Sequence, residues 1–389
     1  TTKPKNKKKK NKQLKKQQKN KLQISSNQKT KTFTIDISAL NKLTFSKCLI
    51  VIDNKIPKKF RTLLLRNLKN QKIYTLNFSA NEKNKSNLSI DKIHNVLFKN
   101  NFYREDCIIS FGGGITGDVV GYAASTFKRG IKFINIPSTL LAQVDSSIGG
   151  KTGINNKFGK NLVGSFYQPD LVISDINLLR TLPKREIICG YAEILKSSLI
   201  DSKKNFVFLD KNFNKILNLK GNFIVNAILN SCLLKKKIIE KDEKEKNLRK
   251  SLNLGHTFAH AYEASLGYSK KLNHGEAVIF GLMNAVNFSK EKKIISVSNS
   301  ELINNHIKKI EIKNKYKDLF NKRKITSILN FMKSDKKNKS DSINLILIRN
   351  FGKLNLSYQA KSDELSKFLL KELNKACLLY TSPSPRDPN

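Results

Sequence analysis

The sequence predicts two folded parts: an α/β N-terminal domain built on a mostly parallel sheet, followed by a mainly α-helical domain. Two observations carry this. From about residue 46 to Pro183, short β-rich apolar runs alternate with stretches whose apolar residues recur at helical spacing, the pattern of parallel strands joined by crossover helices. Beyond Pro183 the helical period continues between short polar breaks, so the sheet ends there.

In chain order, CLIVID at 48–53 is the first clear strand, and Phe60, Leu63, Leu64 and Leu68 after Pro57 lie at helical spacing. KIYTLNF (72–78), CIISF (107–111), IKFINI (131–136) and DLVISDI (170–176) are further strands, with a helix between 90 and 100. Amphipathic helices follow at 184–200, 222–245, 256–266, 275–291 and 300–312. INLILIRN and KLNLSYQ, meeting across Phe351-Gly352, predict a hairpin, and DELSKFLLKEL a closing helix. The expected division is 32–182 for the α/β domain and 183–375 for the helical one. Residues 1–31 are expected to be a disordered basic tail, and 376–389, ending in SPSPRDPN, a disordered or non-native end.

A chain of 389 residues has room for two cores. Five cysteines lie far apart with no CxxC pair, which argues against a zinc ribbon or a secreted disulfide framework and for a reducing, cytoplasmic setting. No apolar run approaches the roughly 18 residues of a membrane helix, so no membrane span and no signal peptide are expected. The formal charge of +44 invites a nucleic-acid reading. Lys, Asn and Ile are abundant together along the whole chain, however, as an AT-rich coding sequence dictates. The concentrated part, TTKPKNKKKKNKQLKKQQKNK, has almost no apolar residue to offset its ordering entropy. Nucleic-acid contact is therefore expected only weakly and non-specifically, through this tail.

Three segments carry chemistry. Gly112, Gly114 and Gly117 form a GxGxxG directly after an apolar strand, where backbone N–H groups at a helix N-terminus can meet a pyrophosphate. The usual ribose-binding acid about 20 residues on is missing, because Val119 to Val144 contain neither Asp nor Glu. Next, Pro137 to Phe166 is dense in Gly, Ser, Thr, Asn and Lys, and is expected to be a long ordered loop over a ligand. Lys151 and Lys160 there suit an anion, and Asp145 a hydroxyl. Finally, three of the five histidines, His256, His260 and His274, lie in one stretch. His256 and His260 fall one helical turn apart on one face, as in two-histidine metal motifs, and a third His with a carboxylate completes a site for Zn²⁺.

Together, SFGGGITGDVVGYAASTFKRGI, IPSTLLAQVDSSIGGKTGINNKFGKNLVGSF, GYAEILKSSLI, DEKEKNLRKSLNLGHTFAHAYEA and LNHGEAVIFG closely resemble the 3-dehydroquinate synthase family, over about residues 48–350. The resemblance implies that the first domain binds nucleotide and the second metal. It implies Glu193, His256 and His274 as ligands of Zn²⁺ or Co²⁺, with His260 moved to a phosphate-side or proton-relay role. For NAD it implies Gly113, Gly114, Asp118, Ser138, Thr139, Lys151, Lys160 and Thr181, together with Asp53, Glu82 and Lys85 from earlier segments, which accounts for the missing ribose acid. For an anionic sugar acid phosphate it implies Arg129, Lys160, Asn161, Lys235, Arg249, Asn253 and Lys336, with Asp145, Lys151, Lys196 and His260 as catalytic groups. The implied reaction is a transient oxidation by NAD, β-elimination of phosphate, return of the hydride, ring opening and aldol closure, in a homodimer. Sister cyclases acting on sedoheptulose 7-phosphate are the alternative; Lys235, Arg249 and Asn253 as a carboxylate- and phosphate-reading set favour the keto acid phosphate. Departures are few: Ala259 between the histidines, Asn273 before HGEAV, and Asn54-Lys55 after Asp53, the last bearing on a cofactor contact.

Overall fold

The computed structural model describes residues 21–26, 29–34, 40, 45–68, 71–314, 316–334 and 342–378. By internal contacts the chain forms two units, one of residues up to Ile187 with Asn218–Glu243, the other of Ile188–Leu217 and residues from Lys244 on. The expected 376–389 end beyond 378, and Lys336, lie outside the described residues.

The first unit contains β1 (Lys21–Ser26), β2 (Lys29–Thr34), β3 (Lys47–Asp53), α1 (Lys58–Arg66), β4 (Lys72–Phe78), α2 (Asn87–Lys99), β5 (Cys107–Gly112), α3 (Gly114–Thr126), β6 (Lys132–Pro137), β7 (Lys151–Asn156), β8 (Gly159–Phe166) and β9 (Leu171–Ile173). Seven strands make one sheet in the order β1-β2-β9-β6-β5-β3-β4, parallel throughout except for the antiparallel β1 at the edge. Continuous apolar runs are what such strands require, because helices cover both faces. Ile50, Ile52, Ile109 and Phe111 pack with Phe60 and Leu64 of α1. Their alternates Leu49, Val51 and Ile108 pack with Ile90, Ile93 and Leu97 of α2 and Val119 and Val120 of α3.

Three expectations need correction. Residues 21–26 and 29–31, assigned to the disordered tail, form β1 and the start of β2, and β2 pairs with β9. Leu22 and Ile24 alternate with polar residues there, a period that suits an edge strand rather than a buried one. The loop expected at Pro137–Phe166 is instead a π-helical turn, Ala142–Ser146, followed by the antiparallel β7–β8 hairpin. Gly153 and Gly164 let its strands meet closely; a Cβ on Gly164 would lie 2.1 Å from the Thr152 carbonyl oxygen. The run at 170–176 is a strand only over Leu171–Ile173, because Asp175 caps a following 3₁₀ turn.

Beyond these, the helices are α4 (Lys184–Asp201), α5 (Lys203–Lys211), α6 (Phe213–Leu217), α7 (Gly221–Lys241), α8 (His256–Ser265), α9 (His274–Glu291), α10 (Val297–Lys308), α11 (Tyr316–Leu319), α12 (Lys322–Ser334) and α13 (Ser362–Leu378), with the hairpin β10 (Ser342–Asn350) and β11 (Lys353–Lys361). The unit boundary falls inside α4. Helix α7 groups with the first unit, where it packs on the π turn. In the second unit Phe288 stands edge to face with Phe368, against which Phe258 packs at a tilt, a geometry that adds to plain burial.

Candidate functional site

In the first unit the sheet reverses its winding between β3 and β5, since β4 lies to one side of β3 and β5, β6 and β9 to the other. The carboxyl ends of strands at such a switch point form the ligand crevice of open α/β sheets. There the chain turns from Gly112 through Gly113, the N-cap of α3, whose first turn holds no acidic residue. A Cβ on Gly112 would lie 3.0 Å from that of Asp53, one on Gly113 3.3 Å from the Thr139 methyl, and one on Gly114 3.0 Å from Ser146 Oγ. The turn is thus walled by Asp53, Thr139 and Ser146, with its N–H groups at a helix N-terminus suited to phosphate. Ser138 N–H donates to the Gly112 carbonyl at 2.8 Å, tying β6 to the turn.

Beside it, buried Lys85 pairs with Asp118 at 2.5 Å and also touches the Asn161 side-chain oxygen. Burial raises the Asp118 carboxyl, with Lys85 opposing. Glu82 accepts from Asn155 at 2.7 Å and stands 3.9 Å from Lys160. Asn161 takes a left-handed backbone, φ 58, and its N–H is held by Asn155 at 3.0 Å. Lys235 of α7 donates to the Asp145 side chain at 2.7 Å and to its carbonyl. Lys151 opens β7 and is exposed. Arg129 is exposed on a turn after α3, in the left-handed region with φ 63. Thr181 ends a 3₁₀ turn, its hydroxyl near the Leu178 carbonyl at 3.4 Å.

The second unit gathers Glu193 of α4, His256 of α8 and His274 of α9, each offering one ligand atom, all within 4.8 Å of one another. Two close backbone approaches bring these helices together. Gly255 (φ 77) caps α8, and its carbonyl oxygen would lie 2.2 Å from a Cβ on Gly281 of α9. A Cβ on Gly275 would lie 2.2 Å from Cys189 Cα of α4. Helix α9 starts at His274 because Asn273 forms a capping box with Glu276, at 2.8 and 2.9 Å.

The donor set fits a divalent ion on structural grounds. Oε1 of Glu193 is buried with no hydrogen-bond donor aligned on it, an arrangement that costs free energy, while Oε2 faces Lys196. The His256 and His274 Nε2 atoms stand 3.5 and 3.6 Å from Glu193 Oε1. Their other nitrogens face acceptors: His256 Nδ1 the Leu254 carbonyl at 3.2 Å, and His274 Nδ1 Glu263 Oε2 at 3.1 Å. A proton on each Nδ1 leaves each Nε2 lone pair directed at the carboxylate, as metal-binding imidazoles require. Lys196, buried, pairs with Glu193. Burial would raise the Glu193 carboxyl, but Lys196 and the two imidazoles hold it well below the usual range. Burial, with Lys196, lowers His256. Burial would lower His274 too, yet Glu193 and Glu263 push it up to about 10.

Around this set, His260 stands one turn beyond His256, ring centroids 5.3 Å apart; it flanks the three ligand atoms rather than joining them. Arg249 is buried on the turn Leu248–Asn253, and Asn253 donates to Glu245 at 2.8 Å. Two contributors escaped sequence reasoning. Glu263 continues the His256–His260 stripe and could have been found by extending it one more turn; Gly275 carries no signal without its packing partner.

Residues 75–189 match the model of the 3-dehydroquinate synthase N-terminal domain, and 190–338 that of the C-terminal domain. The chain is 53% identical to the 3-dehydroquinate synthase of Pelagibacter ubique (strain HTCC1062), over 86% of this chain and 91% of that one. The chain belongs to the 3-dehydroquinate synthase family. The enzyme of Bartonella quintana (strain Toulouse) is 38% identical, covering 83% of this chain and 87% of its own. In fold, the chain is similar to a 2-deoxy-scyllo-inosose synthase complexed with carbaglucose-6-phosphate, NAD⁺ and Co²⁺, at 24% identity, TM-score 0.79, and coverage of 90% and 99%. It is also similar to 2-epi-5-epi-valiolone synthase from Streptomyces hygroscopicus subsp. jinggangensis 5008 with NAD⁺ and Zn²⁺ bound, at 20% identity and TM-score 0.77, covering 90% and 98%. Among the described residues no helix is long and apolar enough to cross a membrane.

Proposed function

We infer that this chain is an NAD- and divalent-metal-dependent carbon-oxygen lyase that converts 3-deoxy-D-arabino-heptulosonate 7-phosphate to 3-dehydroquinate and phosphate, a step of the shikimate pathway. The observation that carries this, in a chain of this family, is the convergence of Glu193, His256 and His274, with buried cationic Lys196 and Arg249 on the same unit. When bound, NAD⁺ supplies a hydride acceptor and Zn²⁺ or Co²⁺ a Lewis acid. Glu193, His256 and His274 would hold the metal. Gly113, Gly114, Ser138, Thr139 and Asp118 would cradle the dinucleotide at the switch point, with Asp53, Glu82 and Lys85 on its ribose side and Lys151, Lys160 and Thr181 as further contacts. This makes the first unit the nucleotide-binding domain and the second the metal-binding one.

The substrate is doubly anionic. Arg129, Lys160, Asn161, Lys235, Arg249, Asn253 and Lys336 would bind and orient its phosphate and carboxylate, Arg249 in the planar two-point manner that suits oxyanions. His260, beside His256, is placed to relay a proton, and Asp145, steadied by Lys235, to orient a hydroxyl. Lys151 and Lys196 would balance negative charge developing on the reacting oxygens. Holding the open chain ready for ring closure is a proximity effect. A homodimer in the cytoplasm, with at most weak polyanion contact through the basic N-terminal stretch, completes the reading.

The test is phosphate release from the keto acid phosphate and from sedoheptulose 7-phosphate, with NAD⁺ and metal added. A substrate lacking the carboxylate forgoes its charge-assisted hydrogen bonds to these cations, at about 1–3 kcal/mol per lost contact. That is roughly tenfold to over a hundredfold in kcat/KM for each. The expected result is preferential turnover of the keto acid phosphate with no net NADH. Equal or faster turnover of sedoheptulose 7-phosphate would assign the chain to a sister activity.

A further inference from the structure

The two histidines of the metal set are not held alike. His256 Nδ1 faces a neutral backbone carbonyl, that of Leu254 at 3.2 Å. His274 Nδ1 faces a carboxylate, Glu263 Oε2 at 3.1 Å. Glu263 lies on α8, two turns beyond His256 and one beyond His260, so a single face of this helix carries a ligand, the neighbouring histidine and the carboxylate that grips a ligand from α9. His274 is the more exposed of the two, its side chain 31% accessible against 11% for His256, and it is the first residue of its helix. A ring at a helix start, with a third of its surface in solvent, has rotamers to choose from; its backbone does not fix its plane.

We propose that Glu263 is a positioning residue for the metal: by accepting the Nδ1–H of His274 it fixes that ring's tautomer and plane, so that Nε2 points at Glu193. The reading rests on the metal site described above. The carboxylate also makes His274 the more electron-rich donor of the pair, because a hydrogen bond to an anion raises the basicity of the far nitrogen. The charge balance favours it as well. Glu193 faces the buried Lys196 ammonium, so a second carboxylate nearby adds negative charge where the ion must be attracted against that cation.

The test measures the Zn²⁺ dissociation constant by chelator competition, and the visible spectrum of the Co²⁺-substituted protein, for Glu263→Ala, Glu263→Gln and Glu193→Ala. Loss of such an outer carboxylate weakens metal binding about 10- to 100-fold. Glu263→Ala is therefore expected to fall in that range with an altered Co²⁺ band. Glu263→Gln, whose amide oxygen still accepts from Nδ1–H, should recover the Co²⁺ band and part of the affinity. A side chain needed only for folding would not be rescued at the band position, and a circular dichroism melt of each variant without metal separates that case. Wild-type affinity and spectrum in Glu263→Ala, with binding abolished in Glu193→Ala, would overturn the role of Glu263 and leave the metal site standing. Retained binding in Glu193→Ala would overturn the metal site itself.

Discussion

Gly275→Ala should damage the metal site without touching any ligand. The new Cβ would lie 2.2 Å from Cys189 Cα, 2.5 Å from its carbonyl oxygen and 2.8 Å from its carbonyl carbon. All three are backbone atoms, so no side-chain rotation relieves the clash. Restoring an ordinary 3.4 Å contact from 2.2 Å needs a shift of 3.4 − 2.2, about 1.2 Å, between α4 and α9. Glu193 lies one turn beyond Cys189 on α4, and His274 is the residue next to Gly275, so the shift falls directly on two residues proposed to hold the metal. Metal–ligand distances tolerate only about ±0.2 Å. Overpacking of this kind costs about 1–3 kcal/mol of stability, and a displaced ligand should weaken Zn²⁺ binding by at least about tenfold, since one ligand in three is lost from the productive geometry. The Gly275 N–H to Cys189 Sγ contact at 3.2 Å is a smaller matter, so Cys189→Ala in the same background should not rescue. The assay is chelator competition followed by thermal unfolding with and without Zn²⁺. Wild-type Zn²⁺ affinity in Gly275→Ala would refute the claim that this backbone contact sets the ligand spacing.

Other outcomes are equally direct. Glu193→Ala and His274→Ala should each lose bound metal and activity, read by elemental analysis after dialysis; full occupancy in both would remove them from the site. Deleting residues 1–20 should leave kcat within about twofold, since their Lys-, Asn- and Gln-rich composition offers almost no apolar residue to a core, whereas deleting 1–34 removes two strands of the main sheet and should lower the melting temperature; equal stability of the two truncations would contradict this. His306 is fully buried between Tyr191 Oη and Asp210 Oδ1, each at 2.7 Å. Burial holds its pKa below the ordinary value although Asp210 opposes, while Lys309 and His306 outweigh burial at Asp210 and hold its carboxyl down. A histidine kept neutral when folded takes up its proton on unfolding, so its contribution is complete above about pH 6.5 and lost as pH falls below that. Denaturant midpoints at pH 7.5 and 5.5 should therefore differ more in the wild type than in His306→Gln; identical differences would rule the histidine out.

The parallel-sheet core was written in the sequence because its signal is local. Strands such as CLIVID and CIISF are buried on both faces and so are apolar at nearly every position, and a helix such as α8 shows its buried stripe in its own spacing. The glycine turn after β5 was legible for the same reason, since the need for close backbone approach falls on adjacent residues. The short strands β1 and β2, together rich in Lys, Thr and Ser, escaped, and so did the β7–β8 hairpin, whose glycines and polar residues lack any apolar alternation. The histidine cluster announced a metal, and the spacing of His256 and His260 placed both on one face, yet spacing alone cannot say which of the two turns toward a ligand from another helix. That was decided by packing: Gly255 against Gly281 and Gly275 against Cys189 bring α4, α8 and α9 close enough for Glu193, His256 and His274 to converge, leave His260 beside them, and set Glu263 behind His274. Periodicity within an element follows from residues a few positions apart, whereas convergence of side chains from three helices follows from how closely their backbones approach, and only the folded chain fixes that.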